Sequence, residues 1–179
     1  DGFETGSLFL DLISKGKIKM VNPLSATLIQ SKNFVTIIDK LVKENKLSKE
    51  SCNTYKQYFP ASEVWNGTKE QILQWLDNKD KVVIKPVFGR TGKAVQIVTK
   101  ENLEHVLQGY SNLPTDEDLS WYVKQPHILQ EYCEDRIADV ELLDGKTYKL
   151  NLSFGAYAVN LKYSGLYLRG DSGCTTDQC

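Results

Sequence analysis

Residues 81–98 read Lys-Val-Val-Ile-Lys-Pro-Val-Phe-Gly-Arg-Thr-Gly-Lys-Ala-Val-Gln-Ile-Val, two apolar runs joined by a short basic loop with two glycines. Val82, Val83 and Ile84 would be apolar on both faces of a strand, so the first run predicts a strand covered on both sides. Lys85 emerges directly from it, where a free ammonium is costly without an anion beside it. Pro86 then ends the ladder, having no N–H to donate.

The loop supplies matching chemistry. Gly89 and Gly92 permit backbone angles and close approaches that a Cβ forbids, and Arg90, Thr91 and Lys93 add positive charge and a hydroxyl. The whole reads as a hairpin that covers phosphates, with a triphosphate as its guest. It is not a P-loop: Val87 stands where the first glycine should be, Ala94 replaces the magnesium-binding hydroxyl residue, and a strand pattern follows instead of a helix. The segment alone leaves a second reading open, an ordinary β-hairpin with a solvated Gly-Arg-Thr-Gly turn.

The surrounding punctuation predicts an α+β layout. Residues 5–15 look helical, Lys17 to Val21 look like a short strand, and Ser25 to Asn45 repeat Leu28, Val35, Ile38 and Leu41 or Val42 at helical spacing. Ser48 can cap a helix through Tyr55, and Thr68-Lys-Glu-Gln71 has capping-box form ahead of Ile72, Leu73, Trp75 and Leu76. A helix over Glu101 to Gly109 and an acidic loop at Pro114 to Asp118 follow the hairpin. The remainder is strand-like: Ile128 to Cys133, Ile137 to Leu143, Thr147 to Asn160 with a break, and Gly165 to Arg169, with Asp144-Gly145 as a hairpin turn.

Charge and residue usage narrow the function classes. Lys plus Arg number 22 against 23 Asp plus Glu, for a net charge of −1, which advertises neither nucleic acid nor an anionic membrane as partner. Apolar runs fall short of a transmembrane helix. The four cysteines, Cys52, Cys133, Cys174 and Cys179, make no Cys-x-x-Cys pair and predict reduced thiols in a cytoplasmic setting. Only His105 and His127 are available for acid–base work, and the extended chain from His127 to Cys133 spans roughly 20 Å, too far for a nucleophile and its base. Asp139 and Glu141 share a strand face but read as a solvated hairpin face, so no complete metal site is expected here.

Four segments together carry a resemblance to the ATP-grasp superfamily, and within it to the circularly permuted branch of glutathionylspermidine synthase-like proteins. They are Val21-Asn-Pro to Gln30-Ser-Lys32, Val83-Ile-Lys-Pro to Gly89-Arg-Thr-Gly92, Ile128-Leu-Gln-Glu-Tyr132 and Gly165-Leu-Tyr-Leu-Arg169. Their order resembles the C-terminal part of that branch. The resemblance implies a helical lead-in over 1–65, a small lobe with the glycine-rich hairpin over 66–113, and a largely antiparallel, incomplete second lobe over 114–179, the chain being a fragment. It further implies that Lys32 and Lys85 reach nucleotide phosphates and that Gly89, Arg90, Thr91 and Gly92 close over them. Gln130, Glu131 and Tyr132 would bind adenine, largely through backbone groups, and Arg169 would lie near the transferred phosphate or the carboxylate substrate.

Each residue also has a plainer reading: Lys32 as a solvated helix lysine, Gln130 and Glu131 as edge-strand residues, Arg169 as a salt-bridged strand end. By the resemblance, the intact protein is an ATP-dependent carboxylate–amine ligase that works through an acyl phosphate and releases ADP and phosphate. Its cofactors would be ATP and Mg²⁺, with metal ligands outside this segment, and its partners a carboxylate and an amine that the sequence does not name. The alternative is a nucleotide-binding or scaffolding module of the same fold without catalysis.

Overall fold

The computed structural model describes residues 2–20, 26–89, 92–112, 116–134, 136–159 and 162–171. It divides into two compact units, residues 1–31 and residues 32–179. In the first, helix α1 (Gly2–Ser14) is followed by the short helix α2 (Ala26–Gln30). The strand expected at Lys17 does not form over 17–20. Gly16 takes a left-handed turn (φ 66°), and the amides of Gly16 and Lys17 donate back to the carbonyls of Ile13 and Leu12, closing the helix instead.

The second unit begins with α3 (Asn33–Lys43) and α4 (Lys49–Tyr58), then β1 (Ser62–Val64), α5 (Lys69–Leu76), β2 (Val82–Pro86), β3 (Gln96–Val98), α6 (Leu103–Ser111), α7 (Glu117–Lys124) and β4 (His127–Glu131). Strands β5 (Arg136–Glu141), β6 (Thr147–Val159) and β7 (Lys162–Asp171) complete it. Helix and antiparallel strand mix as an α+β fold requires.

The single helix expected from Ser25 to Asn45 is two. Their break has a tertiary cause: the Lys32 amide donates to the Val87 carbonyl at 2.9 Å, just beyond β2, and so leaves the helical ladder. The expected caps form, with Ser48 Oγ accepting from the Ser51 amide and Thr68 Oγ1 from the Gln71 amide. Gln71 does not close the box on Thr68; its Oε1 accepts from the Asn66 amide at 2.7 Å. Asp116 of the expected acidic loop accepts from the Leu119 amide and starts α7, a helix with no counterpart in the sequence reading.

One sheet has the order β1-β4-β2-β3, all antiparallel. It draws β1 from the expected lead-in, β2 and β3 from the hairpin, and β4 from the expected second lobe. On one face Val82, Ile84, Val98 and Leu129 pack against Ile72 and Leu76 of α5 and Leu103 and Val106 of α6, forming the main core. On the other face α3 lies against β1, and a smaller cluster of Val42, Cys52 and Tyr55 joins α3 to α4. Burial and a nearby Asp39 push the Tyr55 hydroxyl up to about 12, and it donates to the Val35 carbonyl at 3.2 Å. Cys52 and Cys133 are free thiols; Cys174 and Cys179 lie outside the described residues.

The second sheet has the order β5-β6-β7; β6 runs continuously from Thr147 to Val159 instead of breaking, with a register irregularity against β7 between Tyr157 and Ala158. Gly155 sits opposite Tyr167, and a Cβ at 155 would fall 1.7 Å from the tyrosine ring. The ring therefore lies over the glycine and reaches Tyr157, 5.6 Å between centroids.

The core face predicts its own sensitivity. Leu129 is fully buried in the central strand β4, so Leu129→Ala should cost about 3 kcal/mol of unfolding free energy, read from urea denaturation. A loss below about 1 kcal/mol would mean that this face is not the close-packed centre described here.

Candidate functional site

Side chains alternate across the four-stranded sheet, so its register decides which residues meet. Ser62 pairs with Gln130, Gln130 with Val83, and Lys85 with Ile128. These five share the face opposite the main core. Lys85, at the end of β2, donates from Nζ to Gln130 Oε1 at 2.7 Å. The same amide donates from Nε2 to Ser62 Oγ at 2.9 Å, and the Ser62 hydroxyl donates to the Pro60 carbonyl at 3.0 Å.

Lys32 reaches this neighbourhood from the junction of α2 and α3. Its amide is held by Val87, and its Nζ donates to the Gly89 carbonyl at 3.2 Å. The close fit explains Gly89: an added Cβ would lie 2.9 Å from Pro86 Cγ and 3.5 Å from Lys32 Nζ. The loop base is pinned on its other side, where the Val87 amide donates to the Pro126 carbonyl and the Phe88 amide to Gln125 Oε1. Gly92 takes a left-handed φ of 77°, and Ala94 follows with 55°. Arg90 and Thr91 lie outside the described residues.

The electrostatics are unusual for lysines. Burial pushes the Lys85 ammonium below its ordinary range, and the positive charge of Lys32 pushes it further, against a smaller opposing influence from Cys133. Burial lowers Lys32 as well. Among the described residues, neither lysine forms an ion pair with a carboxylate. Two partly dehydrated cations, each donating to a neutral oxygen, are thus near enough for one to disfavour the other's charge, an arrangement that an anion would relieve.

The other expected site residues separate. Glu131 points to the core face, where it pairs with Lys79 and accepts from the Ala61 amide at 3.4 Å, so hydrogen bonding from Lys79 holds its carboxyl below the usual range. Its own amide donates to the Ala61 carbonyl. Tyr132 follows the strand, with Lys81 Nζ 4.8 Å from its ring centre. Arg169 is exposed on β7 opposite Ser153, in the second sheet, and no described contact joins it to the lysine pair. Ser62 and Pro60 were not foreseen; no local signal marks a serine in a three-residue strand.

Neither histidine takes part. His127 is buried on the core face against Trp65 and Tyr110, and burial lowers its pKa. Its Nε2 has no partner among the described residues. Asp139 and Glu141 are exposed on β5, and no three His, Cys, Asp or Glu side chains converge as a metal-binding group among the described residues. No described helix is long and apolar enough to cross a membrane.

A family model described as glutathionylspermidine synthase preATP-grasp matches residues 4–179. The comparisons with curated proteins and with solved structures return no match.

The lowered Lys85 pKa carries a pH signature in the nucleotide-free protein. The ammonium is disfavoured in the fold, so that penalty acts at neutral pH and is relieved as pH rises from the folded pKa to the ordinary 10.5. Relative to Lys85→Met, the wild type should gain stability as pH rises from neutral toward the ordinary lysine value of 10.5, measured as urea midpoints. A difference that stays flat over this interval would contradict the assigned environment.

Proposed function

Since the chain belongs to the glutathionylspermidine synthase preATP-grasp family, we propose that the Lys32–Lys85 pair receives the phosphates of ATP for an ATP-dependent carboxylate–amine ligase. One observation carries this reading: two half-buried ammonium groups, brought together from positions far apart in sequence, have no carboxylate partner among the described residues. Structural lysines at comparable burial are normally paired. An oligophosphate suits the pair in charge, because its oxygens accept from several N–H groups at once.

In this reading the surroundings have separate tasks. The loop from Gly89 to Gly92, its base fixed by Gln125 and Pro126, lies over the phosphates and contributes Arg90 and Thr91. Backbone groups just beyond β4, at Tyr132, meet the adenine edge, since those of Gln130 and Glu131 are taken up by the neighbouring strands. Arg169, on β7, meets the carboxylate substrate.

Bound ATP supplies an activated phosphoryl group. What these residues do is hold it: lysines and loop amides offset its charge and limit its motion, which is most of what phosphoryl transfer asks of a protein. A substrate carboxylate oxygen attacks the γ-phosphorus and displaces ADP to give an acyl phosphate, and the amine then displaces inorganic phosphate from the acyl carbon, losing a proton, to leave an amide. Magnesium belongs to the same chemistry, but the described acidic residues do not converge to hold it, and no ligand for it is assigned here.

Calorimetry with ATP tests the reading. Lys85→Ala and Lys32→Ala should each weaken ATP binding by roughly tenfold or more. Unchanged affinity in both variants would remove the basis for a phosphate site at this pair.

A further inference from the structure

Lys85 is held by a chain of groups, and the direction of each bond in that chain is fixed. The Pro60 carbonyl can only accept, so the Ser62 hydroxyl spends its single proton there. Ser62 Oγ must therefore accept from its other neighbour, which is the Gln130 side-chain NH₂. With the NH₂ turned toward Ser62, the Gln130 carbonyl faces Lys85 Nζ at 2.7 Å. An amide flipped the other way would present N–H to an ammonium and N–H-hungry oxygen to another oxygen, and both contacts would be lost. Ser62 is nearly inaccessible, at 1% exposure, so water cannot replace its part.

We propose that Ser62 is a positioning residue for the phosphate site: through the orientation of the Gln130 amide, it holds the Lys85 ammonium aimed at the anion. The proposal rests on the nucleotide reading above and adds to it a residue that touches no ligand. It also gives Gln130 a side-chain role in place of the backbone contact with adenine that the resemblance implies, its backbone being paired to β1 and β2. Loss of the Ser62 hydroxyl frees the amide to rotate, and Lys85 then loses the neutral oxygen of Gln130 that holds it. The titratable groups that act on Lys85 are Lys32, from the α2–α3 junction, and Cys133, beyond β4; neither belongs to the chain of bonds, so neither can substitute for it.

The test compares wild type, Ser62→Ala, Gln130→Met and the double variant in the full chain. Calorimetry is run with ATP and with adenosine, and the Lys85 Nζ titration is followed by NMR without nucleotide. Ser62→Ala should weaken ATP binding roughly tenfold while adenosine affinity stays unchanged, because only the phosphate end is affected. Lys85 should titrate at lower pH in Ser62→Ala, since its charged form loses a hydrogen-bond acceptor. The double variant should match Gln130→Met, because Ser62 acts only through that amide.

Equal loss of ATP and adenosine affinity, an unmoved Lys85 titration, or additive effects in the double variant would each overturn the proposal. Ser62→Thr keeps the hydroxyl and should restore the wild-type titration; if it titrates like Ser62→Ala, the hydroxyl is not the agent. Should the wild type bind no ATP, the nucleotide reading fails by itself. The Lys85 titrations then still decide whether Ser62 holds the lysine.

Discussion

An ammonium group inside a fold is stable only while something oxygen-bearing stands close to it, and the second unit is organised around meeting that demand twice. Lys85 takes the side-chain oxygen of Gln130, and Lys32 takes the backbone oxygen of Gly89. Both acceptors are neutral. They soften the desolvation of each cation without cancelling its charge, and the two charges continue to repel each other. A carboxylate in either place would make a more comfortable protein and would compete with any anion seeking the pair. The sheet, the α2–α3 break and the pinned loop base are the structure that keeps the cations where they are.

The main core makes this possible by being one-sided. Ile72, Leu76, Leu103 and Val106 fill one face of the sheet with hydrocarbon, which leaves the other face free to carry Lys85, Gln130 and Ser62 at alternate positions. Gln130 and Glu131 show the division at its sharpest. Adjacent in β4, they point to opposite faces: Gln130 holds a lysine beside the proposed phosphate site, while Glu131 neutralises Lys79 near the end of α5. A one-residue slip in register would exchange those partners.

Elements whose signals are local were legible in the sequence. The apolar runs of β2 and β4, the Ser48 and Thr68 caps and the Asp144-Gly145 turn each depend on a few neighbouring residues, and they form where expected. The misses have non-local causes. Three-residue β1 exists because β4 offers it a ladder, not because Ser62 to Val64 favour a strand. The helix break at Lys32 depends on a carbonyl at Val87, invisible to a periodicity that runs on through the break. Asp116 was read with its acidic neighbours as loop, although a lone Asp before Leu119, Trp121 and Tyr122 can equally cap a helix. In the candidate site the lysines were named by motif resemblance, whereas Ser62 became visible only once β1 and β4 lay side by side.

The second sheet carries a different kind of record. Tyr167 lies across Gly155 at a distance that no Cβ could share, and its ring continues to Tyr157. The glycine is thus a socket shaped by the residue opposite it, and the tyrosine is its filling. In descendants of this chain the two positions are bound to drift as a pair: a larger residue at 155 requires a smaller or displaced one at 167, and a residue lost at 167 leaves a bare backbone at 155. A covarying glycine and aromatic on neighbouring strands would mark the register of β6 against β7 in any relative, even where every other side chain of the sheet had changed.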